Sequence, residues 1–218
     1  MNLFSTAKTG REHLEETTVE ARFNAIYARG IWKNGRSDIP ASGPGSALIS
    51  TTALRRELPE LLDKIGAKIL LDVGCGDFTW MKEVSISQYY IGTDIVQSVI
   101  DLNKVFFNEN RRFECLNAIS DKLPDADTIL CREVLFHLSL DDACSAMRNI
   151  LERPRRWFIA TTETTTKFNA DIRTGDYRPL NLQRPPFRFP NPDYIIDDTE
   201  VVAGRFLAAW RVERLPPF

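Results

Sequence analysis

The sequence is poor in the features that announce metal centres, disulfide frameworks, membrane spans and nucleic-acid partners. Its 218 residues include two histidines, His13 and His137, and four cysteines, Cys75, Cys115, Cys131 and Cys144. No two cysteines stand as CxxC and the histidines are far apart, so neither a metal site nor a disulfide scaffold is expected. Free thiols fit a reducing compartment, and the expected location is cytoplasmic. No apolar run approaches the roughly 20 residues of a membrane span, and the opening MNLFSTAKTGREHLEETTVE lacks the apolar core of a secretory signal. Net charge is −2, from 28 Lys and Arg against 30 Asp and Glu. The chain therefore lacks the basic field that nucleic-acid binding needs.

What is present is an alternation. From Lys68 onward five short runs, KILLDV, QYYIGTD, RFECLN, DTILC and RRWFIAT, are rich in apolar, β-branched and aromatic residues. Each reads as a strand buried on both faces. Helical stretches separate several of them. Over Ile95–Asn108, Val96, Val99, Ile100, Leu102, Val105 and Phe106 make one apolar face, and a helix starting at Ser139 has that serine as its cap. Strand and helix in turn predict a doubly wound, parallel α/β sheet. Residues 1–66 read as an N-terminal helical extension of the same domain. It comprises a helix over His13–Arg29, a Gly/Pro/Ser-rich loop, and a helix from Ala47 to Ile65 that Pro59 restarts and Gly66 caps. Residues 67–218 form the core. An insertion at about 162–192 carries five prolines and little periodicity; loops this long are usually functional or disordered. The closing RFLAAWRVERL alternates Phe206, Ala208, Trp210 and Val212 as a strand does.

The strongest chemical signal is Leu70-Leu71-Asp72-Val73-Gly74-Cys75-Gly76-Asp77-Phe78, a buried strand that ends at an acid and opens into a glycine turn. Glycines let the backbone approach a ligand closely, and nucleotide-like ligands bind at the C-terminal edge of parallel sheets. Alone, a GxG is an ordinary strand-to-helix turn. Three later features line up behind it. Eighteen residues after Gly76, Asp94 ends YIGTD, where an acid can accept from both hydroxyls of a ribose. Asn117 ends the third strand, where a side-chain amide could meet an adenine edge. Cys131-Arg132-Glu133-Val134-Leu135-Phe136-His137-Leu138 follows the fourth strand, where the reacting end of the ligand would lie.

Together these features resemble the class I S-adenosylmethionine-dependent methyltransferases, over about Lys68 to Thr161. The resemblance implies a Rossmann-like methyltransferase fold: a doubly wound, mostly parallel seven-stranded sheet with an antiparallel last strand. It implies S-adenosyl-L-methionine as cofactor, with Asp72, Gly74, Cys75 and Gly76 at the glycine turn and Asp94 and Ile95 at the ribose. Asn117 and Ala118 would face the adenine, and Arg132 the reacting end. The loop Ser42, Gly43, Gly45 and Ser46 is similar to stretches in uncharacterised bacterial members of the superfamily. Its free N–H groups ahead of a helix could hold a carboxylate, or it is a simple connector. Phe78 stands where many members have a third glycine, and Asn117 where many have Asp.

The implied reaction is in-line methyl transfer to an oxygen or nitrogen of a small molecule or glycan-like metabolite. His137 is the candidate catalytic base, since its titration range suits proton removal near neutrality. Between Phe136 and Leu138 it also reads as a packed histidine, and packing is preferred because methyl transfer from a sulfonium often needs only alignment and dehydration. Arg178, Arg188, Tyr177 and Phe187 are candidate substrate residues, as arginine forks beside aromatic faces suit a planar or anionic group. Phe23, Tyr27 and Trp32, at helical spacing, read as core rather than lid. Arg153, Arg155 and Arg156 read as a solvated cluster on the opposite sheet edge. The alternatives are a non-catalytic cofactor-binding module and a methyltransferase of protein or tRNA. A nicotinamide-dinucleotide oxidoreductase would need GxGxxG, and Thr79 occupies its third glycine position.

Overall fold

The five apolar runs become the parallel strands of one sheet: β1 (Ile69–Val73), β2 (Tyr89–Asp94), β3 (Arg111–Cys115), β4 (Thr128–Cys131) and β5 (Trp157–Glu163). β4 and β5 are buried along their whole length, which is why they read as unbroken apolar runs rather than alternating ones. Two more strands, β6 (Tyr194–Asp197) and β7 (Arg205–Arg211), complete the order β3-β2-β1-β4-β5-β7-β6. β7 runs antiparallel to β5, with Ile159 opposite Ala209, and β6 adds an antiparallel edge to β7. The computed structural model describes residues 11–200 and 202–218; residues 1–10, read above as lacking a secretory core, lie outside them. Among the described residues no helix is long and apolar enough to cross a membrane.

Among the described residues four α-helices flank the sheet: α1 (Val19–Arg29), α2 (Thr52–Lys64), α3 (Gln97–Asn103) and α4 (Leu140–Leu151). α1 begins later than its apolar stripe suggests. Glu12–Glu15 is a separate 3-10 turn, and Thr18 caps α1 by accepting from the Ala21 N–H at 3.0 Å. Pro59 does not restart α2, which runs straight through it and buries Leu54, Leu58, Leu61 and Leu62. Four leucines at about 1.5–3 kcal/mol each outweigh the roughly 3 kcal/mol an internal proline costs. α3 is shorter than expected and gives way to a 3-10 turn at Lys104–Phe106. That leaves Leu102 and Val105 exposed instead of on the apolar face. Ser139 caps α4 as expected, accepting from Asp142 N–H at 3.1 Å.

Two expectations about basic and loop residues change. Arg155 is buried, not solvated: its guanidinium donates to the carbonyls of Pro124, Ala126 and Ile150, tying the loop before β4 to the end of α4. The insertion after β5 is a strap packed on the sheet. Leu180, Leu182, Phe187 and Phe189 join the core beside Phe158 and Trp210. Its irregular backbone is satisfied by asparagine amides: Asn169 Nδ2 donates to the Asn181 and Pro185 carbonyls, and Asn169 Oδ1 accepts from Asn181 N–H.

From β1 the chain builds β2 and β3 on one side and returns to β4 on the other. The C-terminal ends of β1 and β4 therefore flank the topological switch point, where open α/β sheets leave a crevice.

Candidate active site

At that switch point lies a cleft of about 940 Å³ of empty space, the open solvent at its mouth included. Its floor is the glycine turn. Gly74 and Gly76 hold φ of 75° and 58°. A Cβ on Gly74 would come within 2.4 Å of Val134 Cγ2, and one on Gly76 within 2.3 Å of Ser42 Oγ. Both positions thus need glycine for conformation and for space. Asp94 fastens the turn to the end of β2: Oδ2 accepts from Gly76 N–H at 3.1 Å and Oδ1 from Val96 N–H at 3.0 Å. Burial pushes its pKa up to about 6. Asp72 receives the Tyr90 hydroxyl at 2.6 Å, and burial pushes it up to about 7. Asn103 Nδ2 donates to the Gly76 carbonyl at 2.7 Å, a support with no local sequence signal. Phe78 adopts φ 59°, a left-handed conformation that favours glycine, and its ring packs on Tyr90 and Phe113.

Asp72, Gly74, Cys75, Gly76, Asp94 and Ile95 all line the cleft, and so do Asn117, Ala118 and Arg132. Asn117 Oδ1 is already engaged by Ile119 N–H at 2.9 Å, so this side chain offers a ligand its Nδ2 donor rather than an acceptor. Within the Ser42–Ser46 loop only the two serines line the cleft. Ser42 Oγ accepts from Asp77 N–H at 2.7 Å and meets the Tyr27 hydroxyl at 3.1 Å. Gly43 and Gly45 act structurally instead. A Cβ on Gly43 would crowd Trp32 at 3.3 Å, and one on Gly45 would sit 2.1 Å from Glu133 Oε2.

Phe23 and Tyr27 of α1, together with Trp32, were expected in the core; they also line the cleft. The Trp32 ring lies 4.9 Å from the His137 imidazole at an interplanar angle of 31°. His137 lines the same end, at the close of a 3-10 turn over Leu135–His137. Its Nδ1 is 2.8 Å from the Asp176 carbonyl. A carbonyl only accepts, so Nδ1 carries the proton of the neutral ring and Nε2 carries the lone pair. Burial holds its pKa below the usual histidine value, keeping the ring neutral at neutral pH.

Beside His137 a buried ionic network closes the cleft. Arg132 Nη2 donates to Asp198 at 3.1 and 3.2 Å and to the Gly45 carbonyl at 3.0 Å. Arg205 donates to Glu133 and to Glu163, each at 2.7 Å. Burial pushes Asp198 up to about 6. Glu133 and Trp80 line the cleft as well; neither was assigned a role from the sequence, and the Arg132–Asp198 and Arg205–Glu133 pairs join residues 66 and 72 positions apart.

The four residues expected to bind substrate are elsewhere. None of Arg178, Arg188, Tyr177 and Phe187 lines the cleft. Phe187 is fully buried beside Phe189 and Phe218. Arg178 is buried and donates to the Leu138 carbonyl. The Tyr177 hydroxyl serves the Arg205–Glu163 pair, and Arg188 is exposed with φ 52°. The strap turns Phe187, Phe189 and the Arg178 guanidinium inward, where the two rings complete the core, and leaves Phe168 and Tyr177 exposed. Among the described residues no His/Cys/Asp/Glu group could hold a metal ion.

No protein-family model and no curated protein sequence matches the chain significantly. Solved structures do. Human N-acetylserotonin methyltransferase in complex with S-adenosylmethionine aligns over 88% of this chain and 69% of that one, at 13% identity and TM-score 0.51. Magnesium protoporphyrin IX methyltransferase from Synechocystis, with bound S-adenosylhomocysteine, aligns over 67% and 72% at 16% identity and TM-score 0.50. The [4+2]-cyclase SpnF aligns over 77% and 70% at 16% identity and TM-score 0.51. At such identities the likeness shows the fold alone, a Rossmann-like methyltransferase fold.

Proposed function

We propose that the protein is an S-adenosylmethionine-dependent methyltransferase that methylates a hydroxyl oxygen of a small, glycan-like metabolite. The observation that carries this reading is that one cleft joins the Gly74–Gly76 turn and Asp94 to a neutral His137 with its Nε2 lone pair free. The residues present fit the cofactor. Asp94 is an acceptor for ribose hydroxyls and Asn117 Nδ2 a donor for the adenine. Arg132 Nε, buried without a partner, suits a carboxylate beside Ser46. When bound, the cofactor would supply an electrophilic methyl group on a sulfonium.

The chain's own residues would do the rest. Phe23, Tyr27 and Trp32 exclude water from the reacting end. His137 Nε2 accepts the hydroxyl proton, a task that suits a base whose pKa lies near or below working pH. Arg205 is matched by Glu133 and Glu163 and the free donor of Arg132 is taken by the cofactor's carboxylate, so among the described residues the acceptor end has no spare cation for an anionic group. Glu133 on that wall favours hydroxyl donors instead, which is why a polyhydroxyl acceptor is preferred.

Calorimetric titration with S-adenosylhomocysteine and, in parallel, with NAD tests the cofactor. Incubation with labelled S-adenosylmethionine and a metabolite extract, with products weighed by mass spectrometry, tests the reaction. Tight S-adenosylhomocysteine binding and an O-methylated product are expected. Preference for NAD would remove the cofactor assignment, and binding without turnover would leave a non-catalytic module.

A further inference from the structure

Both histidines of the chain meet on one short piece of the strap. His13 Nε2 lies 3.1 Å from the Gly175 carbonyl, and His137 Nδ1 lies 2.8 Å from the Asp176 carbonyl. Backbone pairing runs alongside: Gly175 N–H donates to the His137 carbonyl at 2.8 Å, and Arg178 N–H to the Phe136 carbonyl at 3.1 Å. The residues on either side of His137 are thus held by the strap through Phe136 and Leu138. Arg178 completes the grip, because its Nη1 donates to the Leu138 carbonyl.

That arginine is unusual in what it leaves unmet. Its side chain is buried, and its Nε and Nη2 have no hydrogen-bond partner. Burying unmatched donors costs free energy, and such groups ask for an explanation beyond packing. The tautomer of His137 asks for one too. Free imidazole prefers its proton on the other nitrogen, so the Nδ1–H form has to be imposed by a fixed acceptor.

We infer that Arg178 is a positioning residue. By locking residues 176–178 to the Phe136–Leu138 turn, it keeps the Asp176 carbonyl on His137 Nδ1 and leaves Nε2 free to accept a proton. This rests on the reading of His137 as the base. The groups around the ring are Glu133, Arg205 and Asp176 among the charged ones, and Trp32, Phe136 and Tyr177 among the aromatic ones. Changing Arg178 alters none of them directly.

Nitrogen-15 NMR of protein labelled in histidine reads the tautomer without any substrate. With only two histidines, a His13→Gln variant assigns the signals. Wild-type His137 should be the Nδ1–H form at pH 7.5, with a midpoint below the ordinary 6.5. In Arg178→Met the signal should move toward the Nε2–H form, and the midpoint should fall further below 6.5, because the Asp176 carbonyl that favours the charged ring is lost while burial remains. Methyl transfer should then fall about tenfold to a hundredfold, the usual effect of losing a histidine's orienting partner, while S-adenosylhomocysteine affinity stays at the wild-type value. Arg178→Lys can still reach the Leu138 carbonyl and should recover most of both. An Nε2–H signal in the wild type overturns the inference with no variant needed, and so does a wild-type tautomer in Arg178→Met. Should the tautomer shift while methyl transfer does not, the positioning role stands and the base assignment falls.

Discussion

Lowering the pH from 7.5 to 5 should weaken S-adenosylhomocysteine binding about elevenfold, with Asp94 as the cause. The Asp94 carboxylate accepts two backbone N–H groups, which favour its charged form, yet burial wins and raises its pKa to about 6. In the proposed complex ribose hydroxyls would donate to the carboxylate, whereas a protonated acid would bring a third hydrogen into a site already facing two N–H donors. Binding that requires the ionised form scales with its fraction. With a free-state pKa of about 6, affinity is essentially full at pH 7.5, halved at pH 6 and down about elevenfold at pH 5, or ~1.4 kcal/mol. The sign follows: a raised pKa in the free protein means binding is complete above it and lost as pH falls through it. Calorimetry at constant ionic strength, in two buffers of different ionisation enthalpy, reads both the affinity and the proton released. Asp94→Asn should remove most of the slope and weaken binding at pH 7.5 by on the order of 2 kcal/mol. Asp72, raised to about 7, accounts for any slope that survives the substitution. Equal affinity at pH 5 and 7.5 in the wild type, or an undiminished slope in Asp94→Asn, would refute the ribose assignment.

Three further outcomes are expected. His137→Gln should slow methyl transfer about 10²–10⁴-fold with cofactor affinity intact, and the wild-type rate should fall on the acid side with a midpoint below 6.5; an unchanged rate would return His137 to a packing role. Phe78→Gly relieves a left-handed residue, worth about 1–2 kcal/mol, but empties a site that buries a phenyl ring, worth about 3–5 kcal/mol. Urea unfolding should therefore show a net loss, and a stabilised variant would mean that strain dominates there. In the ligand-free protein Asp72, Asp94 and Asp198 all titrate above the ordinary 3.8, so the folded state binds more protons than the unfolded chain between about pH 4 and 7. His137, lowered by burial, contributes stability that is lost as pH falls, but it is one group against three. Tm should be higher at pH 5.5 than at 7.5, and the reverse order would show that the three acids are ionised and paired at neutrality.

The sheet was legible because its central strands are buried on both faces and so carry unbroken apolar runs. β6 was not: its four residues sit on the sheet edge and only Ile196 is buried, leaving no periodic signal. The glycine turn and Asp94 were legible because local geometry dictates their residue types. The arginines of the strap misled for the opposite reason. A sequence displays Arg178 beside Tyr177 and Pro179 but not the direction of its guanidinium, whose acceptor, the Leu138 carbonyl, is 40 residues away. Gly45 had the same ambiguity; only the Glu133 carboxylate pressed against its Cα shows that it serves contact within the protein.

The positive-φ residues show how the crevice is held open. Of the non-glycine residues in that conformation, Phe78 follows β1 and Glu133 follows β4, the two strands that flank the switch point. A left-handed L-residue costs about 1–2 kcal/mol. For Glu133 that cost is offset by its charge-assisted bond from Arg205, since hydrogen bonds to charged groups contribute about 1.5–3 kcal/mol. The conformation has a consequence for packing: with Glu133 turned this way, its carboxylate bears on Gly45 while Val134 bears on Gly74. The turn after β4 thereby presses on both the serine–glycine loop and the glycine turn, and three loops far apart in sequence meet at one place. Arg205 reaches that place from β7, the antiparallel strand, and Asp198 reaches it from just beyond β6. β7 therefore supplies the cation that holds the strained residue, while Asp198 anchors the neighbouring Arg132, which places His137 and Glu133 on a wall braced from the far side of the sheet.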